Sequence, residues 1–325
     1  QMSGAQSSIV LPAFSLSWLL GCLRQCRTDL MTFLGRGAGS GLGAIGYEVK
    51  VAGRTWLQSE EESPPRLFCG GAWQTATLGA HAEISAVDPK LGAYDALRIE
   101  WSVKQLAPGT TESSCASKRM HTTFTYYSSH DALAFSQTFP DEIADATTPP
   151  QPLCPMCEFN STSVPRSEFP SFSAAMGTTL HDEIGWWQWG GAMTNARQAG
   201  GVGLRGPGYL KAYPDKDGLV GGQEGGPLVL FDEGRALGDV LVFSPMGGWF
   251  ASVLGMRPLL NHSASPRGNA LIAGVQGDVA RIPAGHNASF ILCATRGKGI
   301  NAGVQRWGAV LRSKFAVPKL ASTVV

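Results

Sequence analysis

The chain has 325 residues and a net charge of +1, and charged residues make up 16% of it, against roughly 25% in an average globular domain. Its 41 Gly and 20 Pro exclude a coiled coil or a long helical bundle, and its 43% of hydrophobic residues excludes a wholly disordered chain. Because the basic and acidic residues are balanced and form no long run, the sequence argues against a nucleic-acid partner. The composition favours a turn-rich, all-β globular protein.

Residues 1–40 are predicted to form an irregular leader. An apolar stretch at residues 9–20 is too short to span a bilayer, and it is either the apolar part of a secretion signal or a buried segment. A Gly-rich joint follows at residues 36–43. Residues 41–46 match the dinucleotide motif G-x-G-x-x-G by letter, but a flexible Gly run precedes them instead of a strand. The motif therefore indicates a linker, and no cofactor is expected.

Short stretches with apolar residues at alternate positions follow one another along the chain and predict β-strands. In residues 97–103, for example, every second side chain is apolar and falls on one face. Residues 227–231 and 239–244 predict a hairpin. We expect one large antiparallel β-supersandwich over residues 41–298. The predicted strands are 47–52, 97–103, 122–127, 132–139, 185–189, 227–231, 239–244, 249–254, 270–275 and 288–294.

One short helix is predicted near the C-terminus, in a linker and tail at residues 299–325. Asn301 is its expected N-cap, and Pro318 is expected to end it. If no further domain covers the apolar face, we expect Trp307 and Leu311 to be exposed and to drive self-association. The apolar residues that recur at helical spacing on this face are Val304, Trp307, Leu311 and Phe315.

The chain has seven cysteines, an odd number, so at least one is free or pairs outside the chain. Cys154 and Cys157 form a single C-x-x-C in a Pro-rich loop. A zinc ribbon needs a second such pair, so a local disulfide or no bond at all is favoured and no metal site is expected. Half of the six Asn residues lie in N-x-Ser/Thr acceptor motifs, which either is coincidence or predicts a glycoprotein that is secreted or held in the endomembrane lumen. They are Asn160, Asn261 and Asn287.

The densest cluster of aromatic residues occupies residues 185–189. In a strand, Trp187 and Trp189 share a face, and indole rings stack on the C–H face of a sugar. Asp182 and Glu183 precede them and are candidates to accept hydrogen bonds from sugar hydroxyls. The alternative is a Trp-rich core beside an acidic turn.

Four carboxylates are candidates for paired glycosidic chemistry, which needs a defined separation across a cleft. The sequence singles out none of them, and Asp232 most simply occupies a hairpin turn. We therefore name no catalytic residue. The four candidates are Asp131, Glu168, Asp182 and Asp232.

Several short phrases follow one another in an order that resembles a known group of proteins. They resemble the N-terminal β-sandwich region of large, secreted glycoside-hydrolase-like proteins of protists, algae and fungi, which are related to the α-galactosidase and raffinose-synthase group. The resemblance covers residues 45–315. The phrases are YEVxVxGxxWLxS at residues 47–59, AFSQTFP at 134–140, FPSF at 169–172, WxWGG at 187–191, GGPLVLFD at 225–232, VFSP at 242–245 and GINxxxxxWG at 299–308.

The resemblance implies a galactose-mutarotase-like supersandwich that leads, through a linker helix, into a catalytic (β/α)₈ barrel carrying two carboxylates. Such a barrel needs about 250 residues, and ten follow Phe315. We therefore expect the barrel to be absent and no catalytic residue to carry over. The expected function is that of a non-catalytic, carbohydrate-related module with sugar binding as a hypothesis. The alternatives are a glycosidase or lyase that acts within the sandwich, and a structural or interaction module.

Overall fold

Two antiparallel sheets, of six and eleven strands, form the described part of the protein, and one α-helix lies on the larger sheet. This confirms the predicted all-β supersandwich with a C-terminal helix. None of the helices in the described ranges has both the length and the apolar content needed to cross a membrane. The computed structural model describes residues 31–35, 45–59, 64–103, 115, 117–144, 166–173, 184–190, 195–198, 225–232, 237–258, 269–277 and 279–318.

Each sheet combines strands from distant parts of the chain, so several neighbouring strands are far apart in sequence. The small sheet has the order β1-β2-β3-β10-β16-β15, and the large sheet has the order β12-β11-β13-β14-β17-β8-β7-β6-β5-β4-β9. The bounds are β1 Met31–Gly35, β2 Ile45–Val51, β3 Arg54–Ser59, β4 Arg66–Cys69, β5 Ala72–Asp88, β6 Gly92–Val103, β7 Arg119–Tyr127, β8 Ala132–Phe139, β9 Ser167–Glu168, β10 Ser171–Ser173, β11 Ile184–Gly190, β12 Asn195–Gln198, β13 Gly225–Asp232, β14 Val240–Pro245, β15 Ser252–Pro258, β16 Asn269–Val275 and β17 His286–Thr295, followed by the helix α1 Gly299–Phe315.

Each predicted strand corresponds to a strand of the structure, but seven strands were not predicted: β1, β3, β4, β5, β9, β10 and β12. β1 lies inside the range predicted as an irregular leader and pairs with β2. Residues 249–251 form a 3₁₀ turn, so the strand predicted from 249 begins at Ser252. The longest strand, β5, was not predicted, because the side chains after Leu78 are mostly exposed and show no apolar alternation. The domain limits at residues 40 and 298 stay a prediction.

Aromatic rings from both sheets meet in the core. Tyr47 of the small sheet lies edge-on to Phe124 of the large one, with 5.0 Å between ring centroids. Phe172 of the small sheet likewise meets Phe135 at 5.7 Å and Phe243 at 6.0 Å. Each edge-to-face pair contributes about 0.5–1.5 kcal/mol beyond the area that it buries. These contacts cross the space between the sheets and so fix how the sheets face each other.

The helix α1 packs on the outer face of the large sheet, over β13, β14 and β17. The predicted N-cap is wrong, since the helix begins at Gly299, two residues before Asn301. Trp307 and Leu311 are partly buried against the sheet, and the Trp307 Nε1–H donates to Ser244 Oγ at 2.7 Å. The expectation that this face is exposed is therefore corrected. The sandwich itself covers it, and only Phe315 of the predicted face stays exposed.

Two of the seven cysteines form a disulfide that joins Cys69 of β4 to Cys115. Cys293 of β17 is free and fully buried beneath α1, and burial raises the pKa of its thiol to about 12. A thiol with so high a pKa is almost entirely protonated at neutral pH and is a poor nucleophile. Cys154 and Cys157, which were predicted to form a local disulfide or no bond, lie outside the described residues.

Candidate functional site

The predicted sugar-stacking strand is β11, which lies next to the end of the large sheet, between β12 and β13. Trp187 pairs in register with Gln198 on one side and Val229 on the other, and Trp189 pairs with Ala196. The pairing with β13 shifts between Gln188 and Gly190, which marks a bulge at the end of the strand that holds Trp189. Bulges re-aim side chains and are over-represented beside binding sites.

Asp182 and Glu183 lie outside the described residues, directly before the first residue of β11 in sequence. That first residue, Ile184, pairs with Asp232 of β13. The backbone at the start of β11 therefore lies beside Asp232, and the contacts of Asp232 belong to this end of the candidate site.

Asp232 is buried and joins the two sheets. Its Oδ1 accepts a short hydrogen bond from Nη2 of Arg54, on β3 of the small sheet, and its Oδ2 accepts the backbone N–H of Asp239 at 3.0 Å. The Arg54 guanidinium also lies 5.7 Å from the ring centroid of buried Trp56, a cation–π distance. Because both carboxylate oxygens are engaged, Asp232 closes the β13–β14 hairpin and ties it to β3, as its predicted turn position suggested.

The other two described carboxylate candidates also have structural partners. Glu168 is 2% exposed, and its Oε2 lies 3.4 Å from Nη1 of Arg66. Asp131 accepts a hydrogen bond from the Tyr126 hydroxyl at 3.2 Å, and its Oδ2 lies 3.9 Å from Arg306. These contacts favour structural roles over acid–base catalysis. In the described ranges, no group of three or more His, Cys, Asp or Glu could hold a metal ion.

Burial, together with the neighbouring Asp131 carboxylate, raises the pKa of Tyr126 to about 12. A phenol with that pKa stays protonated at neutral pH and can keep donating to Asp131. The pair therefore closes the turn between β7 and β8 as a stable hydrogen bond.

One aromatic contact was missed by the sequence reasoning. The Arg66 guanidinium lies over the Trp73 ring at 4.6 Å from its centroid, and Phe68 meets the same ring edge-on at 5.7 Å. The three residues are brought together by the pairing of β4 with β5. No signal in the sequence announced this contact, because neither strand was predicted. Since Arg66 covers one face of Trp73, this indole is engaged within the protein.

Of the three predicted glycosylation residues, one lies among the residues that the structure describes. Asn160 and Asn261 lie outside the described residues, whereas Asn287 is the second residue of β17 and is exposed. Its acceptor motif therefore lies within the first residues of a strand. Thr138 of the neighbouring strand β8 donates to Asn287 Oδ1 at 3.4 Å.

No protein-family profile matches the chain, and no curated protein matches it. Among solved structures, the α-N-acetylgalactosaminidase NagBb of Bifidobacterium bifidum, in a Gal-NHAc-DNJ complex, has a TM-score of 0.51 at 10% identity over 90% of this chain and 39% of its own. The α-galactosidase of Lactobacillus brevis has a TM-score of 0.46 at 10% identity over 88% of this chain and 41% of its own. The GH36 α-galactosidase AgaA of Geobacillus stearothermophilus, in complex with raffinose, has a TM-score of 0.41 at 8% identity over 77% of this chain and 32% of its own.

The chain thus spans about two fifths of the length of the glycoside hydrolase chain with the highest of these TM-scores. At this identity the likeness shows a shared fold. The predicted resemblance to the sandwich region of such enzymes is confirmed at the level of the fold. The solved structures named above are bacterial, so the predicted resemblance to proteins of protists, algae and fungi stays a prediction, as does the galactose-mutarotase-like character of the sandwich.

Proposed function

We propose that this chain is the non-catalytic N-terminal module of a larger carbohydrate-active protein of the glycoside hydrolase type. One observation carries the proposal: 90% of the chain matches a 39% share of an α-N-acetylgalactosaminidase chain with a TM-score of 0.51. A fold that recurs as part of a glycosidase is best explained as a module that works beside a catalytic domain. The engagement of Asp131, Glu168 and Asp232 in structural contacts supports the non-catalytic part.

In this proposal the module binds sugar at β11. Trp187 and Trp189 stack on the C–H face of the sugar ring, and Asp182 and Glu183 accept hydrogen bonds from its hydroxyl groups. Stacking suits this strand because an indole contributes a large apolar face without a charge to desolvate. The sugars to test first are N-acetylgalactosaminides, which the enzyme with the similar fold acts on, and galactosides, which the resemblance in sequence implies.

The experiment is a titration of the full chain with N-acetylgalactosamine, galactose and raffinose, followed by Trp fluorescence and by protein-observed NMR. We expect saturable changes that weaken about tenfold or more in Trp187→Ala and Trp189→Ala, since a lost stacking contact worth more than 1.4 kcal/mol corresponds to that factor. Trp249→Phe is the matched control, because Trp249 lies in the 3₁₀ turn and on neither β11 nor its neighbours. Far-UV circular dichroism checks that each variant folds.

If neither the Trp fluorescence nor the NMR spectrum of the wild-type chain changes at millimolar sugar, the sugar-binding proposal is overturned, whatever the variants do. Turnover of a glycoside by the chain, lost in Asp182→Asn or Glu183→Gln, would instead show a glycosidase or lyase acting within the sandwich. Both outcomes are read on the wild-type chain first, so a variant that fails to fold does not decide the test.

We also infer that the protein is secreted or resides in the endomembrane lumen. Three acceptor motifs among six Asn residues and a disulfide between Cys69 and Cys115 support this location, because disulfides persist in oxidising compartments. Fractionation of the source cells, with the chain followed by antibody, tests it. Recovery in the cytosolic fraction alone would contradict the inference.

A further inference from the structure

On β17 and its neighbour β8, the outer face of the large sheet is divided into an apolar half and a polar half. In β17, Phe290 and Leu292 belong to the core, so the alternate residues Asn287, Ser289, Ile291 and Cys293 face outward. Ile291 and Cys293 lie in the cluster that α1 covers. Asn287 and Ser289 lie beyond it.

The same division occurs on the neighbouring strand β8. In β8, Ala132 and Ala134 pair with Cys293 and Ile291, and Ser136 and Thr138 pair with Ser289 and Asn287. In β7, Thr123 and His121 continue these polar rows. The change from apolar to polar therefore falls at one register on β17 and β8, whereas on β7 the polar residues extend one position further, to Thr125. The helix occupies the apolar half, and small hydroxyl, amide and imidazole groups form the other half.

Asn287 stands at the outer corner of the polar half. It is exposed, whereas Ser136, Thr138 and Ser289 around it are partly buried. Thr138 donates to Oδ1 of Asn287, which leaves Nδ2, the nitrogen that carries an N-linked glycan, outside this contact. Asn287, Ala288 and Ser289 form an N-x-Ser acceptor motif whose Asn and Ser lie on the same face of the strand.

We propose that Asn287 is an N-glycosylation site and that its glycan lies over the polar half of the large sheet. The donor is a lipid-linked oligosaccharide pyrophosphate. Nδ2 of Asn287 forms a bond to the anomeric carbon of the first sugar, the bond from that carbon to the pyrophosphate oxygen breaks, the lipid pyrophosphate leaves, and the amide nitrogen loses one proton. This inference does not depend on sugar binding at β11.

The chemistry of the surface fits this occupant. Seryl and threonyl hydroxyls exchange hydrogen bonds with sugar hydroxyls as readily as with water, and they form no apolar patch that would favour a protein partner. His121 Nε2 lies 3.4 Å from Glu100 Oε2, a contact within this face. A covalently attached glycan is held at high effective concentration over this surface, so weak contacts suffice.

The test expresses the full chain behind a heterologous secretion signal in a eukaryotic cell. Peptide mapping by mass spectrometry is applied both to the secreted chain and to the chain retained in the endoplasmic reticulum. We expect a glycan on the peptide that contains Asn287, and its removal from the native protein by peptide N-glycosidase F with conversion of Asn287 to Asp. Removal without denaturation is expected because Asn287 is exposed.

Asn287→Gln and Ser289→Ala are expected to abolish the glycan at this peptide, and the conservative Ser289→Thr is expected to keep it. Asn301→Gln is the matched control, because Asn301 is also exposed but lies in no acceptor motif. In this variant, the glycan on the Asn287 peptide should have the same mass as in the wild type. An Asn287 peptide that carries no glycan in either fraction would overturn the proposal. A glycan that survives Ser289→Ala would do the same.

Discussion

At Gly274, in β16, the backbones of the two sheets approach closely. A Cβ atom added there would lie 1.7 Å from the carbonyl oxygen of Ser167, so no side chain fits without moving backbone. Ser167 is itself held in a buried network, in which its Oγ accepts the Val275 N–H at 3.0 Å and donates to Gln137 Oε1 at 2.5 Å. Neither partner can move without breaking these hydrogen bonds.

We expect Gly274→Ala to lower the free energy of unfolding by about 3 kcal/mol or more, because overpacking against fixed backbone is costly. Urea denaturation measures the loss. Gly247→Ala is the matched control, since a Cβ there has no neighbour within 4 Å, and it should change stability by at most about 0.5 kcal/mol. Equal losses in the two variants would contradict the close approach. The sequence could not single out Gly274 among 41 glycines, because the constraint comes from a strand about a hundred residues away.

In the helix α1, close packing again limits a position to glycine, and the neighbouring atoms there belong to side chains that can be changed. Gly303 lies against β14, and a Cβ on it would be 2.6 Å from Cγ1 of Val240. Gly308 of the same helix would place its Cβ 3.3 Å from the flexible end of Arg312. Both residues are glycines and share one intrinsic helix propensity, so a difference between their Ala variants reports the difference in their surroundings.

We expect Gly303→Ala to destabilise the protein by about 1–2 kcal/mol, since the clash with Val240 exceeds the gain in helix propensity. Gly308→Ala should stabilise it by up to about 1 kcal/mol. Thermal and urea unfolding measure both changes. In a Val240→Ala background, the cost of Gly303→Ala should shrink or vanish; an unchanged cost would show that the helix does not rest on Val240.

The far end of α1 is tied to the turn between β5 and β6. Asp88 accepts the N–H groups of Lys90 at 2.8 Å and Leu91 at 3.0 Å, and Lys314 of α1 donates to it at 3.1 Å. Burial alone would raise the pKa of Asp88, but these hydrogen bonds and the Lys314 charge outweigh it and hold the pKa below its usual 3.8. Because the folded-state pKa is depressed, the stabilisation is present above 3.8 and is lost as the pH falls below that value.

Asp88→Asn should therefore be less stable than the wild type near pH 6, and the difference should shrink as the pH falls below 3.8. Urea unfolding at a series of pH values gives the comparison. Lys314→Met removes only the ionic contact and should show a smaller effect, because the two backbone hydrogen bonds remain. A difference between Asp88→Asn and the wild type that is constant with pH would contradict this role of the carboxylate.

For the whole molecule, the disulfide Cys69–Cys115 closes a loop across 46 positions of the chain. By the loop-closure estimate, such a loop stabilises the folded state by about 4 kcal/mol, chiefly by restricting the unfolded chain. We expect the double variant Cys69→Ala, Cys115→Ala to lose about that amount in urea unfolding. Cys293→Ala, which removes a buried thiol that forms no disulfide, is the control for loss of cysteine as such. A loss below about 1 kcal/mol in the double variant would refute the cross-link.

The all-β class, most of the strands and the apolar face of α1 could be predicted from the sequence, because alternation and helical spacing are properties of residues that are close together in the chain. It also identified β11 as a strand with adjacent tryptophans. It did not predict β5, the Arg66–Trp73 contact or the covering of Trp307, since these depend on which strands pair. The contact between Arg54 and Asp232 joins residues 178 positions apart. Such contacts follow from the packing of one sheet on the other, which no local sequence pattern specifies.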